Sequence, residues 1–281
     1  MKLRIGRIDY LNIWHVFHLL TEICPEGPYF HYEPGHPSRL NHALATGELD
    51  ISPSSSFEYL LHAEQYEILP GASICAHSEV QSVLFLSPAP LAELPAWLAS
   101  NPGPVCLTGA SATSTALLKV LWNQKWALTE PDWTEVEPGA GLATGRPFLE
   151  IGNIALRHFV HPPPGYHIID LATEWASWTG LPFVFAVWIV RRGLASPERE
   201  LLRRLQGHIA AITEGLADHF ESLSRLPDLP GWLTSPDLLR YWRAMDYGLG
   251  PEEQAGLALF GQCCTSRGLL PGMPALRWFS S

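Results

Sequence analysis

Three short segments of this chain place hydroxyl and amide side chains where a strand is expected to end. They are residues 9–12 (DYLN), 52–56 (SPSSS) and 108–114 (TGASATS). In α/β proteins, ligands bind beyond the carboxyl ends of strands, where the following loops and helix amino ends converge. The second and third segments are predicted strand-to-helix turns, whose free N–H groups and hydroxyls suit a carboxylate or phosphate. These residue types predict a small-anion site, with simple helix capping as the alternative.

The candidate ligand-binding side chains come from these turns and from two further positions. A hydroxyl interrupts the apolar run at residues 81–87, and an amide follows the predicted strand at residues 148–151. Each charge-assisted hydrogen bond is worth about 1.5–3 kcal/mol, so several together hold a small anion without an arginine. The candidates are Ser54, Ser55, Ser82, Ser111, Thr113, Ser114 and Asn153.

Other kinds of site find no support in the sequence. His31 and His36, or His158 and His161, have no partners at metal-ligand spacing, and no Cys-x-x-Cys occurs, so no metal is expected. Neither Gly-x-Gly-x-x-Gly nor a Walker-type loop is found, which disfavours nucleotide cofactors. The Gly-x-Ser-x-Gly elbow of many hydrolases is missing as well. We therefore expect a site that needs no cofactor.

Two apolar runs, at residues 81–87 and 179–191, predict how the chain is divided. Each is rich in β-branched and aromatic residues, is too short for a membrane span, and is typical of a strand buried on both faces. We interpret them as two crossing strands that join two lobes. The predicted first lobe comprises residues 1–86 and 187–281, the second comprises residues 87–186, and a ligand would bind in the cleft between them.

The remaining pattern alternates strands and helices, which predicts an α/β fold with mixed sheets flanked by helices. Predicted strands include residues 1–10, 29–32, 49–52, 105–108, 148–151 and 168–171. Predicted helices include residues 11–20, 38–45, 115–126, 174–178, 196–215, 235–245 and 251–267.

Composition narrows the class of partner. Of 281 residues, 47% are hydrophobic and 16% charged, as expected for a globular protein with large cores. The formal charge of −10 and the lack of a basic run argue against nucleic acid, and nothing points to a membrane. Five cysteines without framework spacing, and a first strand unlike a secretory signal, favour a reducing cytoplasm. Monomer and dimer remain open.

Five segments together resemble one enzyme family. They are residues 7–12 (RIDYLN), 47–52 (GELDIS), 55–59 (SSFEY), 82–87 (SVLFLS) and 179–188 (TGLPFVFAVW). They resemble the chorismate dehydratases of the futalosine route to menaquinone, and the resemblance runs from residue 5 to about residue 270. It implies a type II periplasmic-binding-protein fold and a cofactor-independent lyase. That enzyme would remove water from chorismate, a dicarboxylate, to give 3-[(1-carboxyvinyl)oxy]benzoate.

The resemblance also implies roles for individual residues. Asn12 and Ser82 stand at the family's asparagine and crossing-strand serine, and are expected to position the substrate and stabilise charge. One carboxylate is expected at the turn that carries Ser111, Thr113 and Ser114. Contacts from the other lobe are expected from Ser54 and Ser55, and Asn153 is expected to add a polar group to the cleft.

Two residues depart from the family's pattern. His15 stands where proline is usual, so the first helix is expected to begin differently, and Asn153 stands where many relatives have aspartate.

Three other functions are alternatives to the dehydratase. The sister enzyme of the same pathway forms 1,4-dihydroxy-6-naphthoate, but it needs a histidine base that no strand end supplies here. A non-enzymatic intracellular binder of an aromatic or dicarboxylic acid stays open. A DNA-binding regulator is disfavoured because no helix-turn-helix precedes the first strand.

Overall fold

The protein, described here by a computed structural model for residues 2–226 and 229–280, contains two five-stranded sheets flanked by helices. The strands are β1 (Leu3–Arg7), β2 (Phe30–Pro34), β3 (Ile51–Ser55), β4 (Tyr66–Ala76), β5 (Val83–Ser87), β6 (Val105–Thr108), β7 (Trp133–Val136), β8 (Phe148–Ile151), β9 (His167–Asp170) and β10 (Phe183–Arg191). The helices are α1 (Trp14–Ile23), α2 (Pro37–Ala45), α3 (Ser56–Leu61), α4 (Leu94–Ser100), α5 (Ala112–Val120), α6 (Gly152–Val160), α7 (Leu171–Thr179), α8 (Ser196–Leu223), α9 (Ser235–Ala244) and α10 (Pro251–Ser266). A π-helical turn (Leu121–Lys125) extends α5, and a 3-10 turn (Gly141–Thr144) precedes β8.

Both sheets are mixed, as the sequence predicted. The first has the order β2-β1-β3-β10-β4, with β1 parallel to β2 and β3, and with β10 antiparallel to β3 and β4. The second has the order β7-β6-β8-β5-β9, with β6 parallel to β7 and β8, and with β5 antiparallel to β8 and β9. The carboxyl ends of β1, β3 and β6 precede the three polar turns found in the sequence.

The chain passes between the sheets twice. Strand β4 belongs to the first sheet and β5 to the second, so the first passage is residues 77–82. Helix α7 packs on the second sheet and β10 lies in the first, so the second passage is residues 180–182. Each passage lies before the boundary predicted at residue 86 or 186. The apolar pattern predicts a strand buried on both faces, but such a strand looks the same in either sheet.

Several elements were absent from the sequence interpretation or longer than it proposed. Strand β7 and helices α4 and α6 were not predicted, and α8 continues past Gly215 to Leu223. The continuation follows from the buried face of α8, on which Ile212, Leu216 and Phe220 recur at helical spacing. Burial of this apolar face outweighs the cost of about 1 kcal/mol for glycine within a helix.

One buried carboxylate ties three strands of the first sheet together. Asp50 is 1% exposed and accepts hydrogen bonds from Arg4 Nε at 3.0 Å, Arg4 Nη2 at 2.7 Å and Arg191 Nε at 2.9 Å. A buried charge is tolerated only when it is paired and hydrogen-bonded. These bonds fix the starts of β1 and β3 against the end of β10. They therefore help to set the register of these strands, and with it the positions of the polar turns that follow β1 and β3.

Candidate functional site

A cavity of about 480 Å³ lies between the two sheets. This volume is within the range of small-molecule sites. Turns of the first sheet supply one wall, and turns of the second sheet with the first passage supply the other. The polar lining residues include Tyr10, Asn12, Asn41, Ser54, Ser55, Glu58, Ser82, Ser111 and Ser114. Among the described residues that line it, none is Lys or Arg.

The structure brings six of the eight sequence-predicted site residues to this cavity. These are Asn12, Ser54, Ser55, Ser82, Ser111 and Ser114. Thr113 is buried behind the wall, and Asn153 lines a second cavity of about 480 Å³ on the other side of the turn at residues 9–12.

Asn12 lines the cavity and has an unsatisfied acceptor in its side chain. Its carbonyl accepts a hydrogen bond from the Tyr247 hydroxyl at 2.9 Å, and the preceding Leu11 carbonyl accepts one from Trp242 Nε1 at 2.9 Å. These bonds fix the backbone of the turn that precedes α1. Side-chain Oδ1 is buried and has no hydrogen-bond partner. Because an unpaired buried acceptor costs about 1–3 kcal/mol, this oxygen is suited to a donor on a ligand.

Ser82 has a hydroxyl oriented by a second buried hydroxyl. The side chain is 3% exposed, and its Oγ accepts a hydrogen bond from the Tyr241 hydroxyl at 2.9 Å. Its own proton points to the Val80 carbonyl over a long 3.3 Å. Burial raises the pKa of Tyr241, so the phenol stays a donor at neutral pH. The Ser82 proton is therefore held only by the long bond to the Val80 carbonyl, and an anionic ligand can compete for it.

The backbone around Ser82 is held by both neighbouring elements. Asp170 Oδ2 accepts hydrogen bonds from the Val80 and Gln81 N–H groups at 3.0 and 2.7 Å. The Ser82 carbonyl accepts one from the Gly152 N–H at 2.8 Å. Gln81 has a φ of 59°, in the left-handed region that non-glycine residues seldom adopt. The first passage is thus fixed in one conformation at the cavity wall, and Ser82 lies just before β5 rather than within it.

The α5 turn, residues 108–114, has no acidic residue in the first turn of its helix, although the Glu135 carboxylate packs against Gly109. Ser111 caps the helix, because its Oγ accepts from the Ser114 N–H at 3.1 Å and lies 3.0 Å from Ser114 Oγ. The Thr115 N–H is bonded to the Ser111 carbonyl. The N–H groups of Ala112 and Thr113 remain as first-turn donors at the positive end of the helix dipole. This end of the cavity is suited to a carboxylate.

The α3 turn, residues 54–58, resembles the α5 turn, and its hydroxyls are likewise engaged within the protein. Ser54 Oγ donates to Asn41 Oδ1 at 2.5 Å, and Ser55 Oγ accepts from the Glu58 N–H at 3.3 Å. Glu58, in the first turn of α3, lines the cavity and adds negative charge there. The carboxylate of Glu58 disfavours an anion at this end.

Thr113 joins the two turns instead of facing the cavity. It is 1% exposed, and its Oγ1 accepts a hydrogen bond from the Phe57 N–H at 2.9 Å. Phe57 belongs to α3 and Thr113 to α5, so this bond connects the elements packed on the two sheets. The side chain therefore supports the cavity wall.

Asn153 is the second residue of α6 and lies away from the main cavity. The second cavity is lined also by Asp9, Trp14, Leu238 and Trp242. Gly152, with a φ of 64°, starts α6 in the left-handed region and turns the helix away from β8. That turn is the local reason why Gly152 lines the main cavity and its neighbour does not.

Sequence reasoning missed several lining residues. Glu58 lies within the SSFEY segment and Tyr10 within RIDYLN, so both were within segments already singled out. Phe185 and Ile74 were part of apolar strands with nothing to mark them as lining. Tyr241, the partner of Ser82, belongs to a distant helix, and no local signal identifies it.

His15, at the position where the resemblance leads one to expect proline, is a core residue. It is fully buried, and its ring contacts those of Trp242 and Tyr247 at centroid distances of 4.5 and 4.9 Å. Burial lowers the pKa of His15 to about 3, so the ring is neutral. Helix α1 begins next to it, at Trp14, after Ile13, which provides no side-chain cap.

The profile of a family described as menaquinone biosynthesis matches residues 3–266, nearly the whole chain. The chain belongs to the menaquinone biosynthesis family.

Two curated relatives of this family member share about a third of their residues with it. A protein from Thermus thermophilus named chorismate dehydratase is 32% identical over 234 residues, which is 76% of this chain and 81% of that protein. A protein of the same name from Campylobacter jejuni is 31% identical over 185 residues, which is 64% of each chain.

Solved structures confirm the predicted fold. A structural-genomics target from Archaeoglobus fulgidus aligns with a TM-score of 0.69 at 19% identity, over 96% of this chain and 98% of that one. The alkanesulfonate-binding protein SsuA from Xanthomonas axonopodis, bound to MOPS, aligns with a TM-score of 0.62 at 13% identity, over 98% and 96%. The menaquinone-biosynthesis chain thus has a periplasmic-binding-protein fold. None of its described helices has the length and apolar character needed to cross a bilayer.

Proposed function

We propose that the protein is a lyase that removes water from chorismate to give 3-[(1-carboxyvinyl)oxy]benzoate, for menaquinone biosynthesis by the futalosine route. The observation that carries the proposal is that Asn12, with its unpaired amide oxygen, and the amino end of α5 line one cavity. Both curated relatives are named for this activity.

The hydrogen-bonding groups of chorismate match those of the cavity. At neutral pH its two carboxylates only accept hydrogen bonds, and its ring hydroxyl is its single donor. Asn12 Oδ1 is a buried acceptor without a partner. The substrate hydroxyl, which is also the leaving group, is therefore assigned to Asn12, and the amide N–H₂ of Asn12 is left to stabilise negative charge nearby.

The α5 turn is assigned the ring carboxylate. Loss of the ring proton, which is gamma to that carboxylate through a double bond, delocalises charge into it. Donors that are already oriented towards the growing charge lower the barrier most. The Ala112 N–H group and the Ser111 and Ser114 hydroxyls lie at this end, and Ser82 approaches from the first passage. Ser54 and Ser55 form the facing wall.

The enolpyruvyl carboxylate of the substrate then serves as the base. The C–H bond next to the ether oxygen breaks and its proton moves to this carboxylate. The carbon–oxygen bond of the neighbouring hydroxyl breaks, and the departing hydroxide takes the proton from that carboxylate and leaves as water. The electron pair of the C–H bond completes the aromatic ring. The protein has to hold the two carboxylates and the hydroxyl in one geometry.

The cysteines indicate the cellular compartment in which the reaction takes place. All five cysteines are buried and unpaired, which fits a reducing compartment, and we place the reaction in the cytoplasm on that basis. The partner is a small dicarboxylate, and periplasmic-binding-protein relatives such as SsuA hold small molecules in the corresponding fold.

The test is incubation of the purified protein with chorismate, without added metal or cofactor, followed by chromatography and mass measurement. The expected product is lighter than chorismate by one water and has a benzoate-type ultraviolet spectrum. Unchanged chorismate in the presence of folded protein would overturn the proposal. In that case a thermal shift with chorismate would indicate a binder, and turnover of a cyclic futalosine derivative would indicate the sister enzyme.

A further inference from the structure

Among the described residues, one group of three potential metal ligands lies outside the cavity. It consists of Cys75 in β4, His77 at the start of the first passage, and Glu253 in the first turn of α10. One ligand atom from each lies within 4.8 Å of the other two. We propose that these residues bind a divalent transition-metal ion of the zinc type at the first passage between the sheets.

The distances suit one ion held in common. His77 Nε2 lies 3.1 Å from Glu253 Oε1 and 3.7 Å from Asp246 Oδ2. Ligands of a tetrahedral zinc ion, at bond lengths of about 2.0–2.3 Å, lie about 3.3–3.8 Å from one another. Cys75 Sγ lies within 4.8 Å of both other ligand atoms, so the three side chains need only small movements to share one ion. The fourth position is open to water beside Asp246.

The donor set selects the kind of metal. One sulfur, one imidazole nitrogen and one carboxylate oxygen suit zinc or cobalt, whereas magnesium and calcium prefer oxygen ligands alone. Cys75 is fully buried and Glu253 is 8% exposed, but the side chain of His77 is 48% exposed. His77 therefore provides the path by which an ion enters. The Cys75 thiol gives up its proton as the metal–sulfur bond forms.

Two of the three ligands are held in place by other bonds. The Cys75 N–H and carbonyl exchange two hydrogen bonds of 2.9 Å with the Asp246 backbone, so the strand position of the thiol is fixed. Glu253 Oε2 accepts the Gly250 N–H at 2.7 Å, which orients the carboxylate and leaves Oε1 directed at His77. Support of this kind for the ligands is characteristic of metal sites.

The position of the site suggests what the ion would do. Helix α10 contacts both passages. Glu253 lies 3.1 Å from His77 in the first, and Gly256 packs so closely on the Pro182 carbonyl in the second that no side chain fits between them. An ion that joins Glu253 to Cys75 and His77 fastens the first passage to the same helix. Binding should therefore raise the melting temperature, because the ligand stabilises the folded state alone.

The test is titration of the metal-free full chain with Co²⁺, followed by Zn²⁺ competition and calorimetry. We expect one ion per chain, a thiolate-to-cobalt charge-transfer band in the near ultraviolet, and a higher melting temperature with Zn²⁺. Half-exposed His77 can change without disturbing the core, so His77→Ala is the main variant. It should weaken Zn²⁺ binding by more than about tenfold, and Cys75→Ser should abolish the charge-transfer band.

His31→Ala is the matched control. His31 also faces two carboxylates, with Nδ1 2.8 Å from Glu26 Oε1 and Nε2 3.6 Å from Glu33 Oε2, but no thiol belongs to that group. This variant should bind Zn²⁺ as the unchanged protein does. The proposal fails if no charge-transfer band forms, or if the band survives both Cys75→Ser and His77→Ala. Survival would place the ion on other thiols, such as Cys263 and Cys264.

Discussion

The α3 turn and the α5 turn look alike in sequence, yet they offer a ligand opposite electrostatic environments. Each follows a strand, is rich in hydroxyls, and uses a serine as N-cap, Ser55 in one and Ser111 in the other. Helix α3 has only six residues and an acidic first turn, whereas α5 has nine and no acidic residue there. Within the first helical turn, only α5 therefore lacks a carboxylate, and Glu135 lies at the other end of its turn, beside Gly109.

The difference shows that two serine-rich turns are distinguished by their charged residues and not by free hydroxyls. Ser54 donates to Asn41, and Ser111 and Ser114 hydrogen-bond one another, but only α3 has an acidic first turn. A pair of carboxylates cannot bind equally to both turns when Glu58 lies at one of them. The substrate is thus expected to bind in a single orientation, with its hydroxyl at Asn12.

The largest effect is expected at Asn12. Asn12→Ala removes the group that receives the leaving hydroxyl, and should lower kcat by about a hundredfold or more, as for removal of one oxyanion-hole donor. Asn153→Ala is the matched control, because it removes the same amide from the second cavity. Its kcat should stay within about twofold of the unchanged enzyme. Equal losses in both variants would contradict the orientation assigned here.

Ser111→Ala and Ser55→Ala test the comparison of the two turns directly. Each removes an N-cap, so each should lower the free energy of unfolding by about 1 kcal/mol, measured by denaturant titration. Only Ser111→Ala should also lower kcat/KM, by about tenfold, since it removes a hydroxyl from the carboxylate site. A similar loss of kcat/KM in Ser55→Ala would show that both turns bind the substrate.

Tyr241→Phe tests whether Ser82 needs to be oriented. Without the phenol, Ser82 Oγ no longer accepts the hydrogen bond from Tyr241, which directs the Ser82 proton away from the phenol and towards the ligand. We expect kcat to fall by about fivefold with KM nearly unchanged, since one neutral hydrogen bond is worth about 1 kcal/mol. A variant with lower stability but normal kcat would reduce Tyr241 to a packing role.

The smallest effect is expected from Glu58→Gln, which should bind the substrate more tightly than the unchanged protein. Removing this charge should lower KM for the dicarboxylate by about two- to threefold, because unit charges about 8 Å apart in a water-filled cavity interact by only about 0.5 kcal/mol. The gain should shrink as salt is added. Glu64→Gln, outside the cavity, serves as control. An increase in KM for Glu58→Gln would mean that Glu58 instead contacts the substrate as an acceptor.

Much of the fold was predictable because its signals are local. Apolar runs gave β5, β10 and the lining residue Ser82, helical spacing gave α5 and α9, and strand ends gave five other residues that line the cavity. Helix α6 was missed because its start at Gly152 has the sequence of an ordinary turn. The predicted boundaries at residues 86 and 186 lie a few residues after the points where the chain passes between the sheets, because strand burial does not reveal which sheet a strand joins.

The sequence by itself determined the mixed α/β architecture, the family and the polar residues at strand ends, since each depends on residue type and short-range spacing. Only the tertiary structure decided which hydroxyls face the cavity, that Tyr241 meets Ser82, and that Cys75, His77 and Glu253 converge. These contacts join residues far apart along the chain. Their geometry is set by the packing of helices α9 and α10 against the two passages, which no local pattern specifies.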